Sequence, residues 1–264
     1  MPKILVNDIN IYYELRGEGH PLVMIMGLAG NSDWWSPRLI EGLAQNYQLL
    51  IFDNRGARRS DAPESDYSLQ LFAKDTVGLM QSLGIKRAHI FGFSMGGMIA
   101  QEIALSYPDR VSRLVFGCTH CGPAHSIPPS PEVMALLSKR DYSSLDEFFT
   151  LNLPILFPTE FMAQYPDVVA DFKKRFLIAP MRPSAYFLQL EAVSRFSSFD
   201  RLGRIQKSTL ILAGEKDVLV LPENSAVLAR NIPGSQLIYL EGCGHLFFDQ
   251  VPEKISRILH NFLK

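Results

Sequence analysis

At 264 residues the chain has room for one domain carrying an insertion or for two small domains. A hydrophobic share of 47% with 20% charged residues is enough to bury a sizeable core and too apolar for a disordered chain. Lys plus Arg number 26 against 27 Asp plus Glu, and neither sign gathers into a long block. The counterion-release affinity of a nucleic-acid binder therefore has no source, and a small, near-neutral partner is expected.

The residues Met1 to Asp8 meet a carboxylate almost at once and lack the apolar stretch of a secretion signal. The longest apolar runs, such as Pro21 to Ala29, fall far short of the ~20 residues that cross a bilayer. A cytoplasmic protein with no membrane span is expected. Three cysteines, an odd number, fit reduced thiols and no structural disulfide.

Strands are predicted at Ile9 to Glu14, Leu22 to Met26, Gln48 to Phe52, His89 to Phe91 and Arg113 to Phe116. Between them Pro37 to Gln45, Leu69 to Leu83 and Met95 to Tyr107 repeat apolar residues three and four apart, the spacing of helices. Alternating strands and helices imply a mostly parallel sheet covered on both faces. From Gly122 to about Phe199 no strand is evident, and prolines (Pro128, Pro129, Pro131, Pro154, Pro158, Pro166, Pro180 and Pro183) divide the stretch into short helices, with Val168 to Leu177 and Ala185 to Phe196 the clearest. The strand and helix rhythm returns at Thr209 to Ala213, Pro222 to Asn231, Gln236 to Leu240 and Pro252 to Phe262. The organisation is therefore one core domain, residues 1–121 and 200–264, interrupted by a helical cap at 122–199.

Gly92-Phe93-Ser94-Met95-Gly96 matches G-x-S-x-G between an apolar strand and a helix, where a sharp turn lifts a serine hydroxyl above the sheet and the helix N-terminus favours developing negative charge. A serine needs a base to take its proton and a third group to hold that base. Asp217 lies just past the strand Thr209 to Ala213, and His245 lies just past Gln236 to Leu240, so both stand at the sheet edge that holds Ser94. His89, His20 and His260 lack that placement. Glu215, on the same loop as Asp217, is the rival acid. The turn Met26-Gly27-Leu28-Ala29-Gly30 follows another strand end, which makes the backbone N–H of Leu28 the partner of that of Met95 in an oxyanion hole.

Together these residues resemble the α/β-hydrolase superfamily, in its lid-bearing branch of 3-oxoadipate enol-lactonases, small carboxylesterases, haloperoxidase-like perhydrolases and meta-cleavage-product hydrolases. The resemblance covers nearly the whole chain and includes Phe52-Asp53-Asn54-Arg55-Gly56 and Tyr107-Pro108-Asp109-Arg110-Val111, which are structural in those relatives. It implies the α/β-hydrolase fold with a cap, no cofactor and no metal. Two departures stand out: Met26 where His is frequent before the oxyanion glycine, and Arg58 where relatives usually carry Gly.

Trp34 and Trp35 follow the oxyanion turn and are candidates for a substrate-pocket wall. Cys118, His120, Cys121 and His125 carry zinc-type ligands, but all four fall within eight residues, and core or hinge packing is the better reading. The leading expectation is a serine hydrolase that cuts a small ester or lactone through an acyl-enzyme on Ser94, with no nucleic-acid or membrane partner; the oligomeric state is left open. The alternatives are carbon–carbon bond hydrolysis or perhydrolysis by the same triad and, from another class, a ligand sensor that retains the triad.

Overall fold

The computed structural model describes residues 2–264. The chain begins with the antiparallel hairpin β1 (Lys3–Val6) and β2 (Ile9–Arg16), then alternates β3 (His20–Ile25), α1 (Pro37–Ala44), β4 (Tyr47–Phe52), α2 (Leu69–Ser82), β5 (Ala88–Phe93), α3 (Met95–Ser106) and β6 (Val111–Gly117). Five helices follow without a strand: α4 (Pro131–Ser138), α5 (Leu145–Leu156), α6 (Thr159–Gln164), α7 (Pro166–Ile178) and α8 (Pro183–Ser194). The alternation resumes with β7 (Thr209–Gly214), α9 (Pro222–Asn231), β8 (Gln236–Leu240), α10 (Phe247–Gln250) and α11 (Pro252–Leu263).

The strands form one sheet in the order β1-β2-β4-β3-β5-β6-β7-β8, parallel from β4 through β8 and antiparallel only at the β1 and β2 edge. A parallel sheet is covered on both faces, so its strands carry unbroken apolar runs. All six residues of β5 and all six of β7 are buried. In β3 the period of two still shows: Leu22 and Met24 join the apolar layer with Leu39 of α1 and Leu259 of α11, while Val23 and Ile25 join the layer with Phe72 of α2 and Ile103 of α3. Each layer closes one face of the sheet. Parallel order also sends the carboxyl ends of β3, β5, β7 and β8 to one edge, where the loops that follow them meet.

The helices between β6 and β7 leave and rejoin the core at one point. Ser198 N–H donates to Cys121 O at 2.9 Å, and the Ser198 hydroxyl bonds Gln101 Oε1 at 2.6 Å. Pro131, Pro166 and Pro183 stand at the first turns of α4, α7 and α8, where a missing N–H costs nothing. Pro154 departs from this pattern. It lies inside α5, two residues before its end, so it does not divide that helix. Helices α4 to α6 fall in the stretch where the prolines predict short helices, but periodicity gives no bounds for them, and the edge strand β1 and the one-turn α10 are too short to show in it.

Candidate active site

Ser94 sits between β5 and α3 at φ 55° and ψ −120°, a left-handed conformation that a residue with a side chain adopts only under constraint. The constraint is close packing. A Cβ on Gly92 would overlap Gly96 O, and one on Gly96 would overlap Ile25 O of β3. Ser94 N–H donates to Gly117 O at 2.8 Å, and the Thr119 hydroxyl donates to Ser94 O at 2.7 Å. The serine is half-buried, with its turn pinned on both sides.

Asp217 is buried on the loop after β7. Its Oδ1 accepts the N–H groups of Leu219 and Val220, each at 2.9 Å, which leaves Oδ2 for His245 Nδ1 at 2.7 Å. A carboxylate only accepts, so the histidine proton lies on Nδ1 and Nε2 offers a lone pair. Phe93 packs its ring 4.8 Å from the His245 ring and, with Asp217, fixes the imidazole plane. Ser94 and His245 line the same cavity; among the described residues no hydrogen bond yet joins them, and such bonds often tighten only with substrate present. Glu215 points elsewhere: it is exposed and accepts Gly242 N–H at 3.2 Å.

The turn after β3 lies against Ser94, since a Cβ on Gly27 would stand 2.9 Å from Ser94 Cβ. Neither Leu28 N–H nor Met95 N–H donates to a protein acceptor among the described residues, so both stay free for a ligand oxygen. The next residue, Ala29, is held at φ 64° and donates its N–H to Gln189 Oε1 of α8 at 3.2 Å. Gln189 is fully buried and also donates to Arg55 O at 2.9 Å. Arg55 in turn is clamped by Asp75 and Asp8, and Asn54 donates to Met26 O at 3.0 Å, so the turn after β4 supports the turn after β3. Met26 fills the space beneath Gly30, and Arg58 is exposed, so neither sequence departure disturbs the site.

The cavity above Ser94 measures about 330 Å³. Trp34, Met26 and Leu28 wall it from the core, and Met134, Phe148, Ile155 and Tyr186 wall it from α4, α5 and α8. Among the described residues no Lys, Arg, Asp or Glu lines it. Trp35 does not: it is buried beneath, against Phe91, Phe93 and Phe248, so only the first of the tryptophan pair faces the space. Cys118, Cys121, His120 and His125 do not converge either. His125 stacks on Phe199, while Cys118 lies beside Asp217 and His245, the three offering ligand atoms within 4.8 Å of one another. Burial and the Asp217 charge hold the Cys118 thiol protonated, well above its ordinary range.

The model of a family described as the alpha/beta hydrolase fold matches residues 20–252. The chain belongs to the alpha/beta hydrolases. This hydrolase is 30% identical over 260 residues to RutD of Stutzerimonas stutzeri (strain A1501), a protein named for carbamate hydrolysis, with 96% of each chain covered. It is 29% identical over 245 residues to a poly(3-hydroxyalkanoate) depolymerase of Ectopseudomonas oleovorans, covering 92% of this hydrolase and 84% of the depolymerase. Among solved structures, Est816, described as an N-acyl homoserine lactone degrading enzyme, superposes with a TM-score of 0.85 at 29% identity, covering 99% of this hydrolase and 100% of Est816. Among the described residues no helix of this hydrolase is long and apolar enough to cross a membrane. Gln189 carries no signal as a site residue in the sequence, and His120 shows there only as a zinc-type ligand; the fold brings the first to the oxyanion turn from α8 and the second to the cavity after β6.

Proposed function

We propose that this chain is a serine hydrolase of small, uncharged carboxylic esters or lactones. The observation that carries this reading is the Asp217–His245 hydrogen bond, standing beside a serine held at positive φ in one apolar cavity. In the proposed cycle Ser94 Oγ attacks the carbonyl while His245 Nε2 takes its proton, and Asp217 holds the Nδ1–H tautomer. The Leu28 and Met95 N–H groups receive the oxyanion, His245 returns the proton to the leaving alcohol, and water then frees the acyl group by the same steps.

The charge preference follows from the cavity wall. An anionic substrate would bury its charge without a lysine or arginine to meet it, which costs far more than burying an ester. A volume of about 330 Å³ suits a small ligand. The relatives named for lactone degradation and hydroxyalkanoate depolymerisation support the same substrate class.

Residues 122–199 are assigned to a cap and residues 1–121 and 200–264 to the core. The Cys121–Ser198 closure supports this division, as does the share of the cavity wall that α4, α5 and α8 supply. The buried free thiols Cys118, Cys121 and Cys243 suit a reducing, cytoplasmic setting.

A serine-directed phosphonate tests the proposal. One adduct is expected, on Ser94 by peptide mapping, with repeated turnover of p-nitrophenyl esters by the unlabelled protein. Labelling at Cys118 would replace the serine mechanism with a thiol one, and a single turnover per molecule would point to a sensor.

A further inference from the structure

His120 lines the same cavity as Ser94 and His245, on the segment that follows β6. Its backbone is fixed: Gln101 Nε2 donates to His120 O at 3.1 Å, and the preceding Thr119 bonds the Ser94 carbonyl. The ring is fixed as well, because Gly122 N–H donates to Nδ1 at 3.0 Å. A backbone N–H can only donate, so Nδ1 carries a lone pair and the ring proton sits on Nε2. No protein acceptor takes that proton among the described residues, and Nε2 is not among the side-chain atoms sealed from solvent without a partner. The ring is half-buried, and the cavity it lines is otherwise largely apolar, with Met98, Pro123, Leu190 and Val193 also in its wall. Burial pushes the imidazole down to about 4, so the ring stays neutral and the donor persists at neutral pH.

We infer that His120 Nε2–H is a substrate-binding donor for a neutral carbonyl or amide oxygen carried on the substrate away from the scissile carbonyl. This deepens the serine-hydrolase reading and rests on it. Because Gly122 holds Nδ1, the ring cannot turn to present an acceptor without losing that bond, and because the ring is uncharged and no Lys or Arg among the described residues lines the cavity, it suits a neutral oxygen better than a carboxylate. A plain alkyl chain would cover the donor without meeting it, and a site built to bond an oxygen discriminates against a ligand that lacks one.

The test uses pairs of p-nitrophenyl esters of equal chain length, one plain and one with a carbonyl at successive positions along the chain. The wild-type protein should favour the carbonyl-bearing ester by roughly tenfold or more in kcat/KM at one position. His120→Leu should bring that ratio close to one, and His120→Gln, which keeps an N–H at the Nε2 position, should restore part of it. A merely structural histidine would lower both members of a pair together and leave the ratio intact, which overturns the inference. Equal rates across every pair in the wild-type protein overturn it as well, without any variant. The matching N-alkyl amides, read by calorimetry, separate binding from chemistry: tighter binding of the carbonyl-bearing amide with no ester turnover would sink the hydrolase reading and leave the His120 contact standing, and ester turnover with equal amide affinities would do the reverse.

Discussion

Replacing Gln189 by methionine keeps an unbranched side chain of similar size in α8 and removes both of its hydrogen bonds, to Ala29 N–H at 3.2 Å and to Arg55 O at 2.9 Å. A buried backbone group left without a partner costs about 1–3 kcal/mol. Arg55 is 1% exposed and its carbonyl bears the full cost, whereas Ala29 is half-buried on the cavity wall, where water can replace part of the bond. The two together come to about 2–4 kcal/mol, or a fall in Tm of roughly 4–16 °C for a chain of this size. The effect on activity is separate. Ala29 holds φ 64° against its own preference, and the Gln189 bond helps to keep it there, one residue from the proposed oxyanion donor at Leu28. With that bond gone the turn relaxes and the donor swings off the position of the developing charge. Loss of one such donor lowers kcat by about 10²–10³, with little change in KM. Steady-state kinetics on a p-nitrophenyl ester, run beside urea unfolding, reads both quantities. A stability loss of the expected size with kcat intact would show that Gln189 ties α8 to the turns after β3 and β4 and has no part in holding the oxyanion turn.

Ser94→Ala should lower turnover by about five to six powers of ten, since the members of a triad act as one unit; Ser94→Gly should do the same while raising stability by about 1 kcal/mol or more, because glycine accepts φ 55° freely, and a glycine variant with a lower urea midpoint would contradict the strained turn. His89 is pushed down to about 4 by burial, with the positive charges of neighbouring groups adding to the effect, so the unfolded chain takes up its proton first as pH falls. Its contribution is complete above about pH 6.5 and is lost between there and about 4; in His89→Phe the dependence of stability on pH in that window should flatten by up to about 1.4 kcal/mol per pH unit, and parallel curves for the two proteins would refute it. EDTA should leave ester hydrolysis unchanged and added Zn²⁺ should inhibit it, because the converging ligand group among the described residues, Cys118, Asp217 and His245, contains the proposed base. Activity lost to a chelator and restored by zinc would reverse that assignment.

Order along the chain was legible in the sequence because it is local. The glycines around Ser94, the apolar runs of β3, β5 and β7, and the placement of Asp217 and His245 just past strand ends each declare themselves within a few residues, and a parallel sheet must bring those ends to one edge. What lay beyond reading was whatever depends on groups meeting across the molecule. Trp34 and Trp35 are neighbours of identical type, yet one walls the cavity and the other packs beneath it, because adjacent residues there face opposite ways and only the packed layers decide which faces what. Gln189 lies 160 residues from Ala29, and an interior glutamine of a helix announces no partner at that distance. Cys118 and His120, read as neighbours in one possible metal cluster, separate in the fold: the end of β6 carries the thiol to Asp217 and turns the imidazole into the cavity. Local pattern therefore determined which residues stand at the sheet edge. Only the tertiary structure, through helices α4, α5 and α8 that wall the cavity beside that edge, decided the shape and uncharged lining of the space they share.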